Sequence, residues 1–166
     1  MTQKNKTIIL LRHGKSAWDQ VELDDIKRTL LPKGIERTKR SAHYIKEVQI
    51  KIEKVISSPA NRALETANIV KDYLHLSSIE IENRLYPCDS EQIYNTIIEL
   101  DDAIDHVLIV AHNTGLTYFA QEYMDANIDN IPTSGLVSCR YTINSWSEFA
   151  LADRKLNFVV FPKNLS

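Results

Sequence analysis

Cysteine is scarce in this 166-residue chain, which carries only Cys88 and Cys139. Two cysteines cannot build a disulfide framework and here form no paired ligand motif, so both are expected as free, inert thiols in a reducing compartment. An excess of one charge is also missing. Twenty Lys and Arg stand against 22 Asp and Glu, a formal charge of -2, which argues against the broad positive field of a nucleic-acid-binding protein. Any anion handled by this chain must be met by a local cluster of cations. Long apolar runs are lacking too. Ile8 to Leu11 follows a polar start from Met1 to Lys6 and falls far short of the roughly 7–15 residues of a signal-peptide core or the ~20 of a membrane span. A soluble, cytoplasmic protein with no membrane partner is expected.

No internal repeat, low-complexity stretch or Pro/Gly-rich linker interrupts the chain, so residues 1–166 are expected to form a single domain. With 43% hydrophobic residues it can fold around its own core. The five histidines show no His-x-x-x-His or comparable ligand spacing. His43, His75 and His106 read as surface or helix-end residues. Asp125 to Asn130 begins like a calcium loop, but Asn130 stands where the turn glycine belongs and Leu136 where the bidentate glutamate belongs. Neither a metal nor a cofactor is expected.

Short Ile/Val-rich runs recur at Thr7–Leu11, Lys54–Ser57, Ile79–Glu82 and Val107–Val110, with helix-length segments between them. Alternation of this kind predicts a mostly parallel sheet with helices on both faces, a three-layer α/β/α sandwich. After the turn Leu31-Pro32-Lys33-Gly34, a helix from Pro32 to about Val48 would present Ile35, Ala42, Ile45 and Val48 inward. Ser58 is read as an N-cap and Pro59 as the first position of the next helix, with Ala63, Leu64, Ala67, Ile69, Val70 and Leu74 packing inward. Two more helices are predicted over Ser90–Leu100 and Thr114–Met124. At the C-terminal end, Leu136–Ile143, Glu148–Ala152 and Leu156–Phe161 read as strands forming an antiparallel edge.

Ligands of open α/β sheets bind beyond the carboxyl ends of parallel strands. Three such ends carry chemistry: Arg12-His13-Gly14 after the first strand, Ser57-Ser58-Pro59 with Arg62 beyond the second, and His112-Asn113 after the fourth. A phosphoryl group needs positive charge on its equatorial oxygens, and guanidinium planes supply it with paired hydrogen bonds. Arg12 and Arg62 are the candidate clamp. A neutral imidazole can attack phosphorus and release it again without a metal, and His13, with Gly14 allowing close backbone approach, is the candidate nucleophile. His112 would donate a hydrogen bond to the transferring group.

Three ordered motifs, Leu11-Arg12-His13-Gly14-Lys15-Ser16, Ser57-Ser58-Pro59-Ala60-Asn61-Arg62-Ala63-Leu64-Glu65-Thr66-Ala67 and Val110-Ala111-His112-Asn113-Thr114-Gly115-Leu116, resemble the histidine phosphatase superfamily, also called phosphoglycerate mutase-like. The nearest likeness is to its short SixA-type phosphohistidine phosphatase branch, and it extends over nearly the whole chain, from the Arg12 to Asp19 start to Phe161-Pro162-Lys163. The resemblance implies a phosphoglycerate mutase-like fold and a metal-independent phosphatase whose covalent phosphohistidine forms on His13. Arg12, Arg62 and His112 would complete the pocket, with Gly14, Ser16 and Asn113 beside them in substrate binding.

Two departures narrow the substrate. Asp19 replaces the asparagine of mutase-type members, and only about two dozen residues separate Asn83 from Val107, leaving no room for the long helical insertion of larger members. An open, shallow pocket is expected, suited to a phosphorylated side chain on a protein; Trp18 is a candidate for its mouth. Pro87 stands where some short members carry the acid–base glutamate, leaving Asp89 and Glu91 as candidates. Phosphohistidine, whose nitrogen leaving group protonates readily, fits a site without a strong general acid. The alternatives are a phosphatase of small phosphate esters and a non-catalytic phosphate-binding module.

Overall fold

A computed structural model describes residues 4–17 and 24–165. Its centre is a six-stranded sheet of order β3-β2-β4-β1-β5-β6, built from β1 (Asn5–Arg12), β2 (Lys54–Ser57), β3 (Glu80–Ile81), β4 (His106–Ala111), β5 (Leu136–Thr142) and β6 (Arg154–Val160). Strands β1 to β4 are parallel, while β5 and β6 run antiparallel at one side. Period-two alternation along β1 divides the interior into two cores. Ile8 and Leu10 join one core and Ile9 and Leu11 the other. Helices α1 (Pro32–Glu47) and α2 (Asn61–Tyr73) cover the second face, and α3 (Ser90–Ile98) and α4 (Gly115–Tyr123) the first. The expected three-layer α/β arrangement, mostly parallel with an antiparallel edge, is the one observed. No helix among the described residues is long and apolar enough to cross a membrane.

Four local expectations need correction. Glu148–Ala152 is not a strand: Trp146–Leu151 forms a 3-10 helix, opened by the Ser145 hydroxyl accepting from the Ser147 N–H. It buries Trp146 and Phe149 but leaves Leu151 98% exposed, so no alternating strand face exists. Helix α2 begins at Asn61 rather than Pro59, because Ser58 still belongs to the end of the strand ladder through Ser58 N–H to Val110 O (3.0 Å). In α1, Gly34 lies inside the helix rather than in a turn, and the buried face is Gly34, Thr38, Ser41, Ala42 and Ile45, while Ile35 and Val48 point outward. In α2, Ala63, Ala67 and Val70 are buried with Arg62 and Thr66, whereas Leu64, Ile69 and Leu74 are half-buried.

Candidate active site

The strand order places the ends of β2, β4 and β1 side by side. The ladder runs one step beyond the strands: His13 N–H donates to Ala111 O (3.1 Å), as Ser58 N–H does to Val110 O. Ser58, His112 and His13 therefore stand in a row at the carboxyl edge. The two imidazoles are 5.1 Å apart between ring centroids and tilted by 48°, and each is only 6% exposed.

Nδ1 of His13 lies 2.8 Å from the Gly14 carbonyl oxygen. A carbonyl can only accept, so Nδ1 carries the proton and Nε2 keeps its lone pair. Burial pushes the imidazole pKa down to about 4, opposed by the Gly14 bond and reinforced by the Arg62, Arg12 and Arg28 cations. His13 is therefore neutral well below the range expected of a free imidazole. At His112, burial, then His13 and Arg62, bring the pKa down to about 3. Its Nε2 is 2.7 Å from the Ser58 hydroxyl, which already accepts from the Ala60 N–H (3.2 Å). With the Ser58 hydroxyl donating to Nε2, the neutral ring carries its own proton on Nδ1.

Arg12 and Arg62 are held from behind. Arg12 Nη1 donates to Ile131 O (2.9 Å), while Arg62 donates through Nη1 to Asp25 O (2.8 Å) and through Nη2 to the Asp25 carboxylate (3.1 Å). Burial and then Arg62 lower the Arg12 pKa, a sign that the two cations face a common space. Arg12 Nε, Arg62 Nε and His112 Nδ1 are buried with no hydrogen-bond partner among the described residues. Buried polar groups are rarely left so, and all three belong to residues that bear on His13, His112 through its ring and the two arginines through their charge. A cleft of about 270 Å³ opens over His13, with Arg12, Ser16 and Arg28 in its wall.

Three further residues complete the frame, none of which the sequence reading singled out. Tyr86 donates its hydroxyl to the Asp25 carboxylate, Arg28 pairs with Asp25 at 3.3 Å, and the Tyr86 ring stands edge-on to His112 at 5.5 Å. The Tyr86 hydrogen bond, with Arg62 and Arg28, holds the Asp25 carboxyl below its usual range against the opposing effect of burial. Only their shared association with Arg62 marks these residues, and that association exists in three dimensions alone.

Gly14 serves packing as much as substrate access: a Cβ there would lie 2.9 Å from Thr38 Oγ1 and 3.0 Å from Gly34 O. Gly34 is tighter still, since its Cβ would lie 2.3 Å from Lys15 O. The loop after His13 is thus pressed onto the first turns of α1. A buried polar network fastens it there. Ser134 N–H donates to Arg12 O (3.0 Å) and His13 O (3.2 Å), Ser41 Oγ donates to Ser134 O (2.6 Å), and Thr38 and Ser134 share a hydroxyl bond of 2.8 Å. On the other side, Gly14 N–H donates to Thr66 Oγ1 (2.8 Å).

Of the remaining sequence candidates, Ser16 is buried in the cleft wall and bridged to Leu30. Asn113 is engaged elsewhere. Its amide donates to Asn130 Oδ1 (2.7 Å) and Ile131 O (2.8 Å), and its oxygen accepts from Thr117 (2.9 Å). These bonds fix the segment whose Ile131 carbonyl holds Arg12. Asp89 caps α3 by accepting from Gln92 N–H (2.8 Å), and Glu91 is exposed in that helix's first turn. Trp18 and Asp19 lie outside the described residues. Cys88 and Cys139 are both free, and burial pushes each thiol up to about 11.

Comparison with known proteins agrees with this geometry. The profile of the histidine phosphatase superfamily (branch 1) matches residues 8–90. The phosphohistidine phosphatase SixA of Escherichia coli (strain K12) is 29% identical over 118 residues, covering 69% of this chain and 72% of the relative. A 2,3-bisphosphoglycerate-dependent phosphoglycerate mutase of Thermobifida fusca is 35% identical over 78 residues, which are 46% of this chain but 32% of the mutase. The solved structure of the protein histidine phosphatase SixA complexed with tungstate superposes with a TM-score of 0.82 at 26% identity, covering 96% of this chain and 99% of that one.

Proposed function

This chain belongs to the histidine phosphatase superfamily, and on that ground we propose that it removes phosphate from phosphohistidine on proteins through a covalent intermediate on His13. The observation that carries the proposal is the tautomer of His13. With Nδ1–H given to the Gly14 carbonyl, the Nε2 lone pair is directed away from that bond, and the low pKa keeps it unprotonated.

In the first step, Nε2 attacks phosphorus in line while the bond from phosphorus to the substrate's ring nitrogen breaks. Arg12 Nε, Arg62 Nε and His112 Nδ1, each without a partner among the described residues, would donate to the equatorial oxygens, where charge is carried through the transition state. Guanidinium and imidazole donors fixed from behind need no reorganisation at that moment. Arg28, in the same wall, adds positive field. In the second step water attacks phosphorus, the bond to Nε2 breaks, inorganic phosphate leaves, and the water's surplus proton passes to solvent or phosphate.

The leaving group decides between substrates. An alkoxide leaving from a phosphate ester requires a general acid, and Asp25, the carboxyl group bonded to Arg62, is held ionised by Tyr86, Arg62 and Arg28. Asp89 is committed to its helix cap. A phosphohistidine protonated on its other ring nitrogen leaves as neutral imidazole and requires no such acid. Because general acids contribute roughly 10²–10⁴-fold, kcat/KM should favour phosphohistidine over comparable esters by about a hundredfold or more. Metal-free incubation, with chelator, of a histidine-phosphorylated protein beside a panel of phosphate esters puts this to the test. Release confined to the esters would make the protein a small-ester phosphatase, and binding of both without release would contradict turnover altogether.

A further inference from the structure

The cleft that Arg12 and His13 line also has in its wall two cations that the reaction above does not use, Lys15 and Arg37. Neither forms an ion pair with any described residue. The acidic neighbour of Arg37, Glu36, is bound to Arg40 one turn further along α1. Lys15 is exposed and Arg37 half-buried, so both are reachable from solvent.

Their positions follow from the glycine contact. The main chain of Lys15 lies against Gly34, close enough that a Cβ would meet Lys15 N at 2.8 Å as well as its carbonyl oxygen, and Lys15 O accepts the Leu31 N–H (2.9 Å). Arg37 follows Gly34 by three residues on α1, which puts the two on one face of the helix. Lys15 leaves the fixed loop two residues after the nucleophile. Two separate elements thus bring a cation each to the lining of the cleft that holds His13.

We propose that Lys15 and Arg37 form a second anion subsite that receives a carboxylate side chain flanking the phosphorylated residue, so that the enzyme selects phosphohistidine in an acidic setting. This rests on the phosphoryl pocket proposed above. A single phosphoryl group is already met by Arg12, Arg62 and His112; a substrate carrying one more negative charge would use the rim as well. Charge-assisted hydrogen bonds on a partly exposed rim give modest discrimination, of the order of tenfold for two cations.

Two phosphohistidine peptides of equal length, one with glutamate and one with glutamine on either side of the phosphorylated residue, test the assignment. Wild type is expected to favour the acidic peptide by about tenfold in kcat/KM, with the difference in KM and shrinking as salt is raised. In Lys15→Met/Arg37→Met the preference should fall to within about twofold, and Arg37→Glu should reverse it toward a lysine-flanked peptide. An unchanged preference in the double variant, or an equal loss on both peptides, would overturn the proposal. If wild type hydrolyses neither peptide, it is the protein substrate of the preceding section that fails. The subsite is then read by calorimetry with 3-phosphonopropionate against propylphosphonate. Tighter binding of the carboxylate-bearing probe that disappears in the double variant supports the subsite, and equal binding of the two probes by wild type contradicts it.

Discussion

At His13, burial and the hydrogen bond to the Gly14 carbonyl pull protonation in opposite directions, and burial prevails, bringing the pKa down to about 4. His112 is lowered to about 3 for the same leading reason. The consequence for stability has a definite sign. An unfolded chain binds protons at these imidazoles near pH 6.5, before the folded chain does, so the folded state is fully favoured above about 6.5. That contribution is lost as the pH falls through the folded values. Denaturant melts between pH 7 and 4.5 should show falling stability with a slope that His13→Ala reduces; an equal slope in both proteins would contradict the burial effect. Imidazole carbon shifts read by NMR should leave His13 neutral at pH 5.5, whereas a titration centred near 6.5 would rule out the neutral, Nε2-directed ring. Asp25 offers a further residue-level check. Asp25→Asn keeps the shape but weakens the hold on Arg62 Nη2, and kcat/KM is expected to fall by about tenfold, given charge-assisted bonds of roughly 1.5–3 kcal/mol. No change would mean that Arg62 needs no anchor.

At the level of elements, helix α1 is as much a part of the site as the strands. Gly34→Ala would drive a Cβ to within 2.3 Å of Lys15 O, a main-chain atom that cannot swing aside, so the loop or the helix must shift. Overpacking of this kind costs about 1–3 kcal/mol. Both the melting temperature and the rate should drop, while Lys33→Ala, at an exposed position one residue earlier, should leave both nearly unchanged; equal behaviour of the two variants would refute this contact. The part of α1 that matters was hard to read in sequence because its buried face includes Thr38 and Ser41, and amphipathic patterns are found by apolar residues. The strand cores, by contrast, announce themselves through Ile/Val runs, and Lys54–Ser57 is reproduced end to end as β2. Glu148–Ala152 misleads because a short run containing Phe149, Ala150 and Leu151 fits strand or turn equally well, and only its burial pattern distinguishes them. The three strand-end motifs were legible since topology alone brings them together. Asp25, Arg28 and Tyr86 were not, as each lies in or directly after a single 3-10 turn (Asp25–Lys27 and Asn83–Leu85), too short to leave a periodic pattern, and gains its meaning only by meeting Arg62.

Across the whole molecule, the sheet separates chemistry from ballast. The carboxyl edge holds Arg12, His13, Ser58 and His112. At the opposite edge, fully buried Lys6 donates to Asp102 O (2.6 Å), Ile104 O (3.0 Å) and the Asp105 carboxylate (2.8 Å). Phe149 packs there against Tyr123 and Tyr141, with centroids at 5.5 and 5.7 Å, and Tyr141 pairs with Lys6 across β5 and β1. Phe149→Ala should therefore destabilise by about 3–5 kcal/mol and still leave kcat/KM within about twofold at a temperature where the variant is folded. A large loss of kcat/KM in the folded variant would show that the two edges are coupled.

Covalent transfer to His13 is the step on which the proposed chemistry stands, and rapid-quench mixing of the metal-free protein with a ³²P-labelled histidine-phosphorylated protein reaches it without intermediaries. A transient, base-stable and acid-labile phosphoenzyme is expected, its label mapping to His13, and His13→Ala should lose both the label and phosphate release. Phosphate release by His13→Ala at the wild-type rate, or a label on any other residue, would show that His13 is not the nucleophile.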